Sequence, residues 1–258
     1  MNVSVIKIGG NIIDNEQECA AFLKQFAELK GAKILIHGGG KIASEMGTRL
    51  GIQPNMVNGR RITDADTLEV VTMVYGGLVN KNLVASLQAL GCNSLGLTGA
   101  DGNLITAIKR PVGEIDYGFA GDVTGVNTEV LEALLNANFI PVVAPLTHNQ
   151  QGQLLNTNAD TIATELAKAL ASKGYEVSLR YCFDKPGVML DLSDPNSLVT
   201  EMNTSLYEQL KKQGVIAAGM IPKLHNAFDA TNAGVTNVYM GLAENLLQEK
   251  PYGTAVLS

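Results

Sequence analysis

The sequence predicts an α/β fold with parallel strands. Two observations carry this: short apolar segments at 3–8 and 33–37 each run into a glycine cluster, and apolar residues at helical spacing fill the stretch between them. Strand, helix and strand in that order imply a parallel pair joined by a right-handed crossover.

The first strand lies in "VSVIKIGGNII" and ends at Gly9 and Gly10. Next, "EQECAAFLKQFAELK" (16–30) puts Cys19, Phe22, Leu23, Phe26 and Leu29 on one helical stripe. Asn15 stands where an N-cap belongs and Gly31 where a C′ residue belongs. The strand "KILIH" then ends in "GGG". After it, "KIASEMGTRLG" sets Ile42, Met46 and Leu50 on one face and stops at Gly51. A longer helix is expected from about Asp64 to Leu90, ended by Gly91. Across 94–127, Asp101-Gly102 between alternating segments predicts a β-hairpin. A helix over 128–138, a buried strand in "FIPVVAPL" and a turn into a helix near Ala159 follow. "YEVSLRYCF" opens a second set of strand and helix signals, which puts a lobe boundary near Lys173-Gly174 and divides the chain into 1–173 and 174–258.

Composition narrows the function. With 258 residues, 46% hydrophobic and 17% charged, the chain is long enough for a sizeable core. A net charge of −6 argues against nucleic-acid binding, which needs clustered Lys and Arg. Cys19, Cys92 and Cys182 are widely spaced and form no CxxC pair, so they read as buried thiols in a reducing compartment. No protein metal-ligand set stands out. The N-terminus runs straight into a strand and unbroken apolar runs are short. A soluble, cytoplasmic protein away from membranes is therefore expected.

The chemistry concentrates in three places. Lysine is seldom buried, yet Lys7 closes an apolar strand beside Gly9-Gly10. Either it solubilises an edge strand or it aims a cation at a ligand. Glycine amides beside helix N-termini form a cradle for phosphate oxygens, and two such clusters with a lysine favour an anion site. The sequence is not a P-loop, because Leu35 and Ile42 occupy the positions that GxxxxGK[ST] reserves for Gly and Ser/Thr. "GGGKIA" fits GxGxxG/A, but no strand with a terminal carboxylate follows. In "AAGMIPKLHNAF", Pro222 suits a first helical turn and puts Lys223 there, where the helix dipole disfavours a cation. In "LLNTNADTIA", Asn158 is a good cap and Asp160 falls in the first turn. Asp160 either complements the dipole or accepts hydrogen bonds from both lysines. Two cations on one phosphoryl group suit phosphoryl transfer.

In order, "KIGGN", "HGGGKIA", "NGRRITD", "LTGADGNLI", "GFAGDVTGVN", "LNTNADTIA", "DKPGV" and "GMIPKL" resemble the N-acetylglutamate kinases of the amino-acid kinase family over essentially the whole chain. The resemblance implies an αβα sandwich around a mostly parallel sheet. It implies an N-terminal lobe, 1–173, for the acylated amino acid and dimerisation, and a C-terminal lobe, 174–258, for ATP. The implied reaction moves the γ-phosphoryl of MgATP to the side-chain carboxylate of N-acetyl-L-glutamate, in arginine biosynthesis. By the same resemblance, Lys7 and Lys223 stabilise the transferring phosphoryl and Asp160 organises them. Gly39 and Gly40 donate amides, with Gly9 and Gly10 beside them. Arg61 clamps the α-carboxylate and Asn156 holds the acylamino end. Asp184, Lys185, Pro186, Gly187, Val188 and Met189, with Val215, Ile216 and Ala217, match the nucleotide contacts. Mg²⁺ is expected to arrive with ATP.

Two departures stand out. Arg180 and Phe183 intrude where the family has an aliphatic strand ending in Thr-Asp, and Arg180 is expected to point to solvent. Arg60 replaces an apolar or aromatic residue; it is either a surface arginine or a cation for an extra substrate carboxylate, as in N-succinylglutamate. The chain starts at the first strand, as in the arginine-insensitive dimeric members, so a homodimer around the 64–90 helix is expected.

Overall fold

The computed structural model describes residues 1–57, 59–191, 193–194, 196–216 and 219–258. Eight strands form the main sheet: β1 Asn2–Ile8, β2 Ala32–Ile36, β3 Ser94–Leu97, β4 Ile140–Val143, β5 Glu176–Phe183, β6 Glu201–Met202, β7 Asn237–Leu242 and β8 Thr254–Val256. Their order is β6-β8-β7-β5-β1-β2-β4-β3. Every pair is parallel except β7–β8. Since β1 pairs β5 from Asn2↔Glu176 to Ile8↔Cys182, the sheet is continuous across residue 173.

The helices of five or more residues are α1 Gly10–Asp14, α2 Glu16–Glu28, α3 Gly40–Arg49, α4 Ala65–Ala89, α5 Thr128–Asn136, α6 Ala159–Ser172, α7 Thr204–Lys212 and α8 Ile221–Asn232. Strand pleating sorts the core into two clusters. Val3 and Val5 join Ile162, Leu166 and Leu224 on one face of the sheet, while Ile6 and Ile8 join Phe22, Phe26 and Val74 on the other. By the same alternation Lys7 shares the face of Val3 and Val5, the one covered by α6 and α8. That register decides where its ammonium goes.

Local signals explain most boundaries. Asn15 caps α2 through Gln17 and Glu18 amides. Asp64 caps α4 by accepting from the Thr67 amide at 2.8 Å, and Gly91 turns left-handed at φ +77°. Within α4, Thr72–Val79 widens into a π-helical stretch.

Three expectations are corrected. No hairpin forms across Asp101-Gly102: β3 belongs to the main sheet, and Ile105–Lys109 pairs antiparallel with Gly121–Val126 instead. These two strands join Leu146–His148 and Leu154–Asn156 in a smaller four-stranded sheet. Leu50 is exposed, the buried face of α3 being Ala43 and Gly47. Arg180 does not extend freely into solvent. It is buried, its Nη1 donates to the Leu246 carbonyl at 2.7 Å and its Nε to Ser178 Oγ at 3.2 Å. Helix α4 is long and apolar enough to cross a membrane by length and composition, with mean hydropathy 1.2. Its apolar residues Leu68, Val71, Val74, Leu83 and Leu87 are packed in the core, and Met73 and Leu78 are exposed.

Candidate active site

The carboxyl ends of β1 and β2 meet the N-termini of α6 and α8. Lys7 Nζ lies 2.7 Å from Asp160 Oδ1, and Lys223 Nζ donates to Asp160 Oδ2 at 2.6 Å. The Lys7 contact is a close, buried ion pair. Lys7 and Asp160 are both buried, whereas the Lys223 side chain is 26% exposed. Burial alone would push the Asp160 carboxyl up, but the two ammonium groups outweigh it and hold it at about 2. Burial lowers the Lys7 ammonium, with Lys223 adding to that and Asp160 opposing it. Two cations thus share one anion, leaving net positive charge at the site. Asn158 holds α6 in place by accepting from the Asp160 and Thr161 amides at 2.8 and 3.2 Å.

Beside this cluster run the two glycine turns; a Cβ on Gly38 would come within 4.0 Å of the Gly10 nitrogen. Gly39 has φ +139°, and a Cβ there would press on Val79 Cγ2 at 3.2 Å and Tyr75 Cδ1 at 3.3 Å. Only glycine lets the turn pass over the π-helical stretch of α4. α3 starts at Gly40 with no side-chain cap, so its first amides are open to a ligand. The Gly9 amide donates to the Cys182 carbonyl at 2.9 Å, so Gly9 shapes the turn, and α1 starts at Gly10 with no side-chain cap.

Sequence reasoning passed over what fixes this turn. His37 is fully buried; Asn80 Nδ2 reaches its Nε2 at 3.1 Å and the Val142 carbonyl at 2.9 Å. With Nε2 accepting, Nδ1 carries the proton and donates to the Gly38 carbonyl at 2.8 Å. Burial drops the imidazole to about 4, so it is neutral near pH 7.

Arg61 and Asn156 line one cavity of about 200 Å³ together with Gly39, Gly40 and Tyr75. Arg61 Nη2 donates to the Gly40 carbonyl at 2.7 Å and to Ser44 Oγ at 2.8 Å, which pins the guanidinium. Asn156 donates to Thr63 Oγ1 at 3.0 Å. Arg110 lines the same cavity and was not anticipated. It pairs with Asp122 through Nε at 3.0 Å and Nη2 at 2.5 Å, and lies over the Tyr117 ring. Its signal was hidden because its partner is twelve residues away across the hairpin. A wider cleft of about 560 Å³, lined by Asn158, Asp160, Pro222, Lys223 and Asn226, adjoins on the other side.

The residues matched to nucleotide contacts are spread unevenly. Asp184 and Lys185 are exposed, and Asp184 accepts from Asn11 Nδ2 at 3.0 Å, which sets this loop beside the Gly10 turn. Pro186 is half-buried. Gly187 packs where a Cβ would strike Thr254. Val188 and Met189 pair antiparallel with Val199 and Leu198, and their side chains are buried. Only their backbone could face a ligand, and the Val188 amide is already committed to Thr254 Oγ1 at 2.8 Å. Val215 is half-buried, Ile216 is buried, and Ala217 lies outside the described residues. Among the described residues no group of three or more His, Cys, Asp or Glu could hold a metal.

Comparison with known proteins gives the family of the whole chain. The model of the amino acid kinase family matches residues 2–241. A Parabacteroides distasonis protein named acetylglutamate kinase is 55% identical over 98% of both chains. The acetylglutamate kinase of Methanopyrus kandleri is 41% identical over 98% of this chain and 100% of its own. Among solved structures, a Streptococcus mutans protein superposes with a TM-score of 0.79 at 28% identity, covering 99% of this chain and 98% of its own. An N-acetylglutamate synthase from Neisseria gonorrhoeae shares the fold at 21% identity and TM-score 0.79.

Proposed function

The chain belongs to the amino acid kinase family, and on that premise we propose that the Lys7–Asp160–Lys223 cluster transfers a phosphoryl group from ATP to an acylglutamate held by Arg61. The activity is the ATP-dependent phosphorylation of N-acetylglutamate, a step of arginine biosynthesis. The observation that carries the residue assignment is one buried carboxylate bridging two lysines at 2.7 and 2.6 Å beside an uncapped glycine turn.

The acceptor needs no general base, because a glutamate side chain is already ionised at neutral pH. One γ-carboxylate oxygen attacks the γ-phosphorus in line; the bond from that phosphorus to the bridging oxygen breaks, and ADP leaves with the electron pair. Lys7 and Lys223 offset the charge that gathers on the equatorial oxygens. Asp160 is a positioning residue: held at about 2, it stays an anion and keeps both ammonium groups aimed. Gly10, Gly39 and Gly40 present amides. Arg61, with Nη2 already anchored, keeps Nη1 and Nε for the α-carboxylate. Asn156 takes the acylamino end.

The wider cleft lined by Asp160 and Lys223 receives the nucleotide phosphates, while Asp184 lines a separate pocket with Ile12 and Phe22. Mg²⁺ bound with the ATP phosphates would supply further charge neutralisation there; each Asp160 oxygen lies within ion-pair distance of a lysine. Residues 1–173 serve as the acylglutamate lobe and 174–258 as the nucleotide lobe. The exposed Met73 and Leu78 on α4 support a homodimer built around that helix; a hexamer by light scattering would exclude it. Trapping the acyl phosphate as a hydroxamate tests the activity. Product with MgATP and N-acetyl-L-glutamate, and none with free L-glutamate, is expected. No product with either would overturn the reading.

A further inference from the structure

We propose that Arg60 makes the acylglutamate cavity a receptor for a third carboxylate, so that acyl chains ending in their own carboxylate are preferred over uncharged chains of equal length. This rests on the phosphotransferase reading above and names its substrate class. Three guanidinium groups, Arg60, Arg61 and Arg110, line one cavity, and no Asp or Glu lines it.

Each of the other charges is accounted for. Arg110 is neutralised by Asp122 and held over Tyr117. Arg61 takes the α-carboxylate. The γ-carboxylate reaches the lysine cluster, whose two cations and one anion suit an anionic reacting group. Arg60 is left over: it is exposed, and among the described residues it makes no ion pair. Its place is fixed all the same, on a two-stranded ladder where Met56 pairs Arg61 and Val57 pairs Arg60. An unpaired guanidinium at the rim of a cation-lined cavity attracts a further carboxylate. Arg60 also borders the cleft that holds Asp160 and Lys223, which makes a nucleotide phosphate the competing occupant. The acyl end is favoured because the phosphoryl site already has two ammonium groups while the cavity holds no other unpaired cation for a distal acid.

The test compares kcat/KM for N-acetyl-, N-succinyl- and N-succinamoyl-L-glutamate, the last replacing the terminal carboxylate by an amide of the same shape. Wild-type protein is expected to favour succinyl over succinamoyl by about three- to fivefold, the modest effect of a solvent-exposed charge pair. Arg60→Gln should bring that ratio close to one, and Arg60→Lys should keep part of it. Equal kcat/KM for the two in wild type would overturn the proposal. So would an Arg60→Gln variant that loses activity equally with all acylglutamates while its KM for ATP rises, which would assign Arg60 to the nucleotide. Turnover of none of the three would overturn the phosphotransferase reading and this proposal with it.

Discussion

Replacing Asp160 by asparagine removes the anion between Lys7 and Lys223 and leaves the shape almost unchanged. The carboxyl is held at about 2 against an ordinary 3.8. At 1.36 kcal/mol per pH unit that contributes about 2 kcal/mol of stability at neutral pH. The contribution is fully present above about pH 4 and is lost as pH falls through 4 towards 2. Stranding the buried Lys7 ammonium adds to the cost, which raises the expected loss to about 3 kcal/mol, the low end for a broken buried pair because Lys223 is partly solvated. In urea the midpoint should drop at pH 7 with little change in slope. The acid-limb loss between pH 4 and 2 should be absent from Asp160→Asn. Loss of neutral His37, whose imidazole sits at about 4, falls above that window and should persist. With the lysines no longer aimed, kcat should fall about 100-fold, the effect of roughly 1 Å of misplacement. The alkaline limb of the rate profile should also move to lower pH, since Lys7 loses the partner that opposes its burial. A variant that keeps kcat within about threefold of wild type, on that same scale, and whose stability still falls between pH 4 and 2 would refute the role given to Asp160.

Other perturbations separate binding from chemistry. Gly39→Ala meets both a strained φ and Val79, so it should lose about 1–3 kcal/mol in urea denaturation and raise KM for the acylglutamate. An unchanged midpoint would show that the turn has room to move. Arg61→Lys keeps the charge but loses the planar fork, so KM for N-acetyl-L-glutamate should rise about tenfold with kcat nearly preserved. An unchanged KM would remove Arg61 from the substrate clamp.

Much of this was legible in the sequence where a local rule and the tertiary structure agree. Asn15 and Asn158 cap helices as their positions predict, and glycines at 51 and 91 end helices in the left-handed region. Lys7 and Lys223 are 216 positions apart, yet each was marked by a conflict with its surroundings, a cation at a strand end and a cation in a first helical turn. What was illegible depended on partners far along the chain. The Asp101-Gly102 turn has hairpin chemistry, but Gly102 leads a tight turn from one sheet into another, and pairing passes to Gly121–Val126. Arg180 reads as an exposed charge on a strand because nothing local announces the Leu246 carbonyl 66 residues on. His37 and Asn80 look like ordinary residues of a strand end and a helix until the fold stacks them under Gly38. Val188 and Met189 follow a loop motif but turn inward, since sequence does not state which face of a short ladder is covered.

The central claim is that the paired lysines act on the phosphoryl group in transit and contribute little to holding the substrates. Its most direct test is kcat and both KM values for Lys7→Met in the hydroxamate assay. The account predicts that kcat falls by about 100-fold or more while KM for ATP and for N-acetyl-L-glutamate stays within about threefold. A preserved kcat with a raised KM for either substrate would contradict it, and would make Lys7 a ground-state anchor.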